Sequence, residues 1–159
     1  MAQTRRDLAY FHLPGLFEFY PLYRVFLPLY REHPEYFYGW CAIGSIYGAP
    51  ADCIWGGGRV GFGDDRPEDV LALLEEYGIS ARLTFSNSLL RQEHLSDRRC
   101  NALCRRFGSR EGNGVIVASD LLTDYLRSHG AECSFHIPGR IEEGYGLNAA
   151  AIRQLAAQG

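Results

Sequence analysis

Short apolar segments rich in β-branched and aromatic residues alternate along the chain with longer segments of helical pattern. The short segments predict strands, because runs of this composition bounded by glycine, proline and small polar residues are typical of β-structure. The five predicted strands span residues 6–12, 51–55, 80–85, 114–118 and 131–137. Strands that alternate with helices are typical of a mostly parallel sheet with helices packed outside it.

One unit of this alternation occurs twice. Residues 84–90 and 117–122 both read as an apolar strand that ends in small polar residues and runs into a turn or helix, at a constant offset of 32. The centres of three predicted strands, Cys53, Thr84 and Ile116, are 31 and 32 residues apart. This spacing predicts successive units of the same construction. In such a sheet the polar residues gather where the strands end, and ligands bind at that edge.

The segments between the strands carry helix signals. Residues 17–31 are aromatic and aliphatic on most sides, and Pro34 begins a second helical segment that runs through Ile43. Later helices start at capping residues and stop at glycine, as helix ends commonly do. They are predicted after Asp65, after Ser96, and after Ser119 or Asp120, and they end at Gly78, Gly108 and Gly130. Their predicted buried stripes are Val70, Leu71, Leu74 and Tyr77 in the first, and Cys100, Leu103, Cys104 and Phe107 in the second.

The size of the chain limits the fold. A complete eight-unit (β/α) barrel needs about 250 residues, so 159 residues hold at most five units. We therefore predict an α/β fold, as a partial (β/α) barrel or an open parallel sheet of four to five βα units. The predicted domain covers residues 1–139, and residues 140–159 are predicted to form a linker and a weak C-terminal helix. Because unclosed strands leave unpaired edges, a homodimer or a missing C-terminal half is a further hypothesis.

Composition and charge exclude several classes of function. The net charge of -3 and the pI near 5.9 provide no overall positive field that would attract nucleic acid or an acidic membrane. All sixteen basic residues are arginine, which excludes a Schiff-base lysine and a phosphate-loop lysine. No apolar run reaches the roughly 18 to 20 residues of a membrane span, and five scattered cysteines fit reduced thiols. We therefore predict a cytoplasmic protein with no nucleic-acid or membrane partner.

Glycine and polar residues at the predicted strand ends form the candidate ligand site. Gly56, Gly58 and Gly61 match the spacing of a dinucleotide fingerprint, but the next helix begins near Pro67, too far on to face a pyrophosphate. The loop also fits a cradle for a smaller anion, with Arg59 as its guanidinium clamp, or a turn without a ligand. The candidate ligand-binding residues are Trp55, Gly56, Gly57, Gly58, Arg59, Ser86, Asn87, Ser88 and Ser119.

Histidine and aspartate provide the candidate catalytic groups, since a histidine within reach of an aspartate can act as a general base. These residues are His12, Asp120 and His136, and the two histidines approach one another only if the sheet curls. Ser88, Ser119 and Asp120 are equally good helix caps, and capping is the commoner role for such residues. Cys100 and Cys104 lie one turn apart on a predicted buried face, which favours core packing over metal ligation. The sequence identifies no cofactor and predicts no metal site.

Three segments carry a resemblance to known proteins: residues 11–18 (FHLPGLFE), 54–59 (IWGGGR) and 82–88 (RLTFSNS). With these segments the chain resembles an uncharacterised bacterial family whose longer members continue as a (β/α) barrel. At the level of fold alone it is also similar to barrels of the U32 peptidase and radical-SAM kind. The resemblance implies a barrel-like fold. It implies no residue role, because neither catalytic signature is matched.

Two functional hypotheses follow from these patterns. The first is a small-molecule enzyme, or a remnant of one, that binds a polar or anionic ligand at the carboxyl ends of the parallel strands. The alternative is a non-catalytic interaction module that uses the aromatic segment 17–40, with a homodimer as one form. Large apolar surfaces on small domains normally find partners, so core or subunit contact is favoured for these aromatic residues over a ligand box.

Overall fold

The computed structural model describes residues 8–57 and 66–133 of the chain. Within these ranges four strands alternate with four α-helices, and short 3-10 turns lie between them. In chain order the main elements are β1 (Ala9–Pro14), α1 (Tyr20–Glu32), β2 (Cys41–Gly48), α2 (Pro67–Glu76), β3 (Ser80–Phe85), α3 (Arg98–Gly108), β4 (Gly114–Val117) and α4 (Asp120–Cys133). The short turns are Pro34–Tyr36, Ile54–Gly56 and Gln92–Ser96.

The four described strands form one parallel sheet in the order β1-β2-β3-β4. The predicted α/β fold with an open parallel sheet is therefore confirmed. In the pairing of β3 with β4, Leu83 lies beside Val115 and Thr84 lies beside Ile116. This register has the same offset of 32 that the repeated sequence unit predicts.

One face of the sheet carries the hydrophobic core. Strand β3 alternates along its length, with Ala81, Leu83 and Phe85 buried and the residues between them only half-buried. Right-handed crossovers between neighbouring parallel strands place the connecting helices on a single face. Side chains from all four helices accordingly share one cluster with the buried face of the strands; the cluster includes Leu27, Leu74, Phe107, Leu122, Ile46, Leu83 and Val115. The opposite face carries the intervening, more polar residues.

The second strand differs from the sequence prediction. Residues 51–55, predicted as a strand, form a turn that leads into the 3-10 turn Ile54–Gly56, and Gly57 continues it in the left-handed conformation at φ 88°. Strand β2 is instead Cys41–Gly48, whose first residues were predicted as helix. The helical segment after Pro34 is only one 3-10 turn, because residues from Cys41 onward pair with β1 on one side and with β3 on the other. Two ladders of hydrogen bonds override a helical pattern of apolar residues.

The end of the described chain is also corrected. Helix α4 continues through Gly130 to Cys133, so the prediction of a strand that begins at residue 131 is wrong for residues 131–133. A glycine inside a helix costs only about 1 kcal/mol, which the packing of the preceding turns can offset. The remainder of that predicted strand, residues 134–137, and the predicted linker and helix of residues 140–159 lie outside the described residues.

The start of α3 depends on a different cap from the one predicted. Asp97, rather than Ser96, caps α3, because its Oδ1 accepts a hydrogen bond from Cys100 N at 2.8 Å. The Oγ of Ser96 donates instead to Glu93 O at 3.0 Å. The predicted buried stripes of α2 and α3 are confirmed, except that Tyr77 lies at the end of α2 and is half-buried. None of the helices in the described part of the chain is long and apolar enough to cross a membrane.

Candidate functional site

The turn at Ile54–Gly56 packs against the residues that follow β3. Asn87 holds it with two hydrogen bonds: its backbone N donates to Trp55 O at 3.0 Å, and its Nδ2 donates to Ile54 O at 2.9 Å. Ser86 Oγ donates to Gly56 O at 3.2 Å. The structure therefore brings Trp55, Gly56, Ser86 and Asn87 together beside the carboxyl end of β3, as the sequence predicted. Their polar atoms, however, join the turn to β3.

Trp55 lies in the core. Its side chain has no solvent exposure, and its ring contacts Phe85 and Tyr125 at centroid distances of 5.3 and 6.0 Å. Its Nε1 donates to His94 O at 2.7 Å, so the polar end of the indole is satisfied as well. A side chain packed in this way positions the turn and presents no surface to a ligand.

The other strand-end residues have separate surroundings. Ser88 is exposed, and Ser119 caps α4 because its Oγ accepts a hydrogen bond from Leu122 N at 3.3 Å. Asp120 is exposed in the first turn of the same helix. Gly57 adopts φ 88°, a left-handed conformation that suits glycine. Gly58 and Arg59, the proposed anion clamp, lie outside the described residues, and so does His136.

His12 lies on an edge strand, and the structure does not bring it to Asp120. The two middle strands, β2 and β3, lie between His12 in β1 and Asp120 at the end of β4. His12 pairs instead with Ser45 of β2, and its Nδ1 lies 2.6 Å from Ser45 Oγ. Ser45 is only 1% exposed, so its end of this hydrogen bond is shielded from water, whereas His12 is half-buried.

A bulge in the sheet makes room for the His12 ring. The register between β1 and β2 shifts after Phe11, so that Gly44 has no counterpart in β1. A Cβ atom on Gly44 would lie 2.6 Å from His12 Cε1, a distance that carbon atoms do not reach without displacement. The glycine and the bulge together allow the imidazole to pack against Gly44 and to reach Ser45.

Polar side chains continue across the same face. Tyr47 pairs with Arg82, and Thr84 pairs with Ile116, which is 42% exposed. Burial, and then the positive charge of Arg82, lower the pKa of His12 below its usual value, so the imidazole is neutral near pH 7. Burial and the neighbouring Tyr47 raise the pKa of Tyr23 to about 12. We name His12, Ser45, Tyr47, Arg82 and Thr84 the polar sheet face.

Sequence reasoning missed most of the polar sheet face. Ser45 and Tyr47 follow a segment that was predicted as helix, so they were assigned to no strand. The available signal was the alternation of Ser45, Ile46 and Tyr47, in which only the middle residue is apolar and buried. Arg82 lies in a correctly predicted strand, and within one of the segments that carry the resemblance, but neither fact predicts its place on this face.

Metal ligation and relatives add no further constraint. Among the residues described, no group of three or more histidine, cysteine, aspartate or glutamate side chains is placed to hold a metal ion. No family model, no curated protein and no solved structure matches the chain. The resemblance to a barrel family therefore stays an expectation.

Proposed function

We propose that the chain is a small-molecule enzyme, or a remnant of one, that binds an anionic ligand on the polar sheet face toward the carboxyl halves of the strands. The observation that carries the proposal is the part-buried hydrogen bond between His12 in β1 and Ser45 in β2, with Arg82 in β3 near enough for its charge to lower the pKa of His12. Polar groups inside a protein are costly unless their hydrogen bonds are made, and those that are retained often fix a specific geometry. Here the pair is combined with a cation that can attract a negatively charged group.

The chemistry of the three side chains supports distinct roles. Arg82 can bind a carboxylate or phosphate group through paired N–H donors. A neutral imidazole can accept a proton, and His12 has its pKa lowered by burial and by Arg82. Its Nε2 is shielded from solvent, so it would exchange a proton only with a group brought against it inside the protein. Ser45 is too buried to meet a substrate, and it orients the imidazole through Nδ1.

Replacing Arg82 with glutamine is expected to weaken the binding of small anions by about 10- to 100-fold, because a hydrogen bond to a charged group contributes about 1.5–3 kcal/mol. Inorganic phosphate and succinate serve as probes, and isothermal titration calorimetry measures the dissociation constants. Arg105, exposed on α3 away from the polar sheet face, provides the matched control Arg105→Gln, which should bind both anions as the wild type does.

Arg59→Ala separates the two candidate anion sites. If Arg59→Ala alone reduces binding, the ligand occupies the glycine loop and the proposal for the polar sheet face is wrong. If Arg82→Gln and Arg105→Gln bind both anions equally, or if the wild type binds neither, the proposal is also wrong. Reduced binding in Arg82→Gln alone is the expected outcome.

A second function, self-association, is favoured by the outer side of α1. Leu22, Val25 and Leu29 are 59%, 71% and 40% exposed, and their spacing places them on one stripe of the helix opposite the buried Tyr23 and Leu27. A helix that is apolar on both sides is normally covered on both sides. We therefore propose that a second copy of the chain covers this stripe.

Most of the exposed apolar surface of the described residues lies in the first part of the chain, which contains α1. Ten of the twelve large hydrophobic residues that are exposed among the described residues lie between Leu8 and Trp40. A fully buried aromatic side chain covers about 150–250 Å², so the six aromatic residues among the ten, each roughly half exposed or more, together offer on the order of 600 Å², and the four aliphatic residues add to it. A standard interface buries about 800 Å² per partner. Because the stripe is the same on each copy, two helices can pack around a two-fold axis.

Val25→Glu is expected to raise the dimer dissociation constant at least about 30-fold, because a charge would be buried at the centre of the stripe. Light scattering coupled to size-exclusion chromatography measures the change. Wild type should have twice the 17.9 kDa mass of the chain, and the variant should have the single mass. Leu89→Glu, at a residue 83% exposed outside α1, should stay dimeric. A monomeric wild type at the highest attainable concentration would contradict this second function.

A further inference from the structure

Two buried thiols meet between the site turn and helix α3. Cys53 is the residue before the turn Ile54–Gly56, and Cys100 lies in the first turn of α3, 47 positions later in the chain. Their Sγ atoms are 2.6 Å apart, and neither side chain is exposed to solvent. This separation is only about 0.6 Å longer than the roughly 2.05 Å of a covalent disulfide bond. The backbone therefore already brings the two residues to bridging distance.

We propose that Cys53 and Cys100 are a reversible disulfide site that fixes the turn Ile54–Gly56 to helix α3. The turn is held by hydrogen bonds to Asn87 and Ser86 on the β3 side, and by the Trp55 indole, which donates to His94 O. A covalent bond to α3 would hold it from the other side too. The proposal is independent of the ligand and of self-association.

The reaction needs a disulfide co-reactant, and glutathione disulfide is of the required class. The Cys53 thiolate attacks one sulfur of the co-reactant, which forms a mixed disulfide and releases one glutathione thiolate. Cys100 then loses its proton and attacks the Cys53 sulfur, which releases the second glutathione. Two protein thiols are oxidised to one disulfide, and one glutathione disulfide is reduced to two glutathione thiols.

The surroundings distinguish the two sulfur atoms. The hydrogen bond with Cys100, together with the backbone of Gly56 and Trp55, lowers the pKa of Cys53. The same contact, followed by burial, raises the pKa of Cys100. Cys53 is therefore the thiol that ionises first and attacks, and Cys100 is the resolving thiol.

Incubation of the full chain with glutathione disulfide, at a temperature just below its melting transition, tests the proposal. Buried thiols react there through transient openings of the fold. After denaturation and alkylation, mass spectrometry should find one peptide pair joined through Cys53 and Cys100, and three of the five thiols should be alkylated. The melting temperature should rise on the order of 10 °C, because the bridge closes a long loop, and dithiothreitol should reverse the rise.

Matched serine variants separate this pair from the other cysteines. Cys53→Ser should show no rise on oxidation, whereas Cys41→Ser, at a half-buried position in β2, should respond as the wild type does. Five free thiols in the wild type after incubation would overturn the proposal. So would a disulfide between other residues, such as Cys100 and Cys104, or a glutathione adduct that persists on Cys53. Because mass spectrometry reads the wild type directly, the result does not depend on whether Cys53→Ser folds.

Discussion

Replacing Trp55 with alanine is expected to lower the free energy of unfolding by about 3–5 kcal/mol, the loss typical of truncating a buried aromatic side chain. The ring has no solvent exposure and contacts both Phe85 of the sheet and Tyr125 of α4. Truncation also leaves His94 O without the indole donor. Urea unfolding followed by circular dichroism measures the change. Trp55→Phe keeps a six-membered aromatic ring in the core but lacks the N–H donor, and it should lower the free energy of unfolding by only about 1–2 kcal/mol.

The second tryptophan supplies the matched control. Trp40 is 46% exposed and contacts only the rings of Phe11 and Tyr38 among the aromatic pairs described. Trp40→Ala should therefore change the free energy of unfolding by less than about 1 kcal/mol. If the two alanine variants lose the same stability, Trp55 is not the packing centre of the turn. The arrangement of the strand-end residues would then need revision.

The second half of the fold could be predicted from sequence because each unit is regular. Strands β3 and β4 each follow a helix that ends near a glycine. Buried and half-buried residues alternate along β3, and small polar residues follow both strands. Their spacing of 32 residues equals the offset in the observed pairing of Thr84 with Ile116. The spacing of the two segments along the chain equals their pairing offset in the sheet, so the sequence pattern alone was sufficient to predict both strands.

The first half of the fold was harder to predict because its apolar residues are buried in a turn as well as in strands. Cys53 and Trp55 are fully buried, as strand residues would be, but they are buried by a turn that packs into the core. Strand β2 contains Gly44 and Ser45 in its middle, and both are poor indicators of a strand. They are present because the His12 ring lies against that part of the sheet. A tertiary contact of this kind leaves no periodic signal.

The sequence predicts which strand-end residues lie together better than it predicts what their side chains bond. Asn87 and Ser86 do lie beside the turn after residue 53, as the gathering of strand ends at one edge requires. Sequence alone could not show that their side chains bond to backbone oxygens of that turn. The contact between His12 and Ser45 also depends on a one-residue register shift between β1 and β2. Such a shift moves a side chain from one face of a sheet to the other. Such a shift is a property of two paired strands.

Replacing Asn113 with alanine is expected to lower the free energy of unfolding by about 3 kcal/mol, because the buried Ala81 N loses its side-chain partner and Phe107 O loses one of its hydrogen bonds. Asn113 is 2% exposed and lies directly before β4. Its Oδ1 accepts a hydrogen bond from Ala81 N at 2.8 Å, and its Nδ2 donates to Phe107 O at 3.0 Å. One buried amide thus joins the start of β3 to the end of α3.

Asn87→Ala provides the matched comparison for Asn113→Ala, since Asn87 also uses both amide atoms to bond backbone groups. Asn87 is half-buried, so water can reach the groups that it leaves, and its loss should be only about 1 kcal/mol. Urea unfolding of the two variants measures the difference. Equal losses would mean that burial does not set the contribution of these amides, and that Asn113 is not the internal link between α3 and the sheet. A larger loss for Asn113→Ala follows from the geometry, because desolvation makes an unpaired amide or carbonyl more costly than an exposed one.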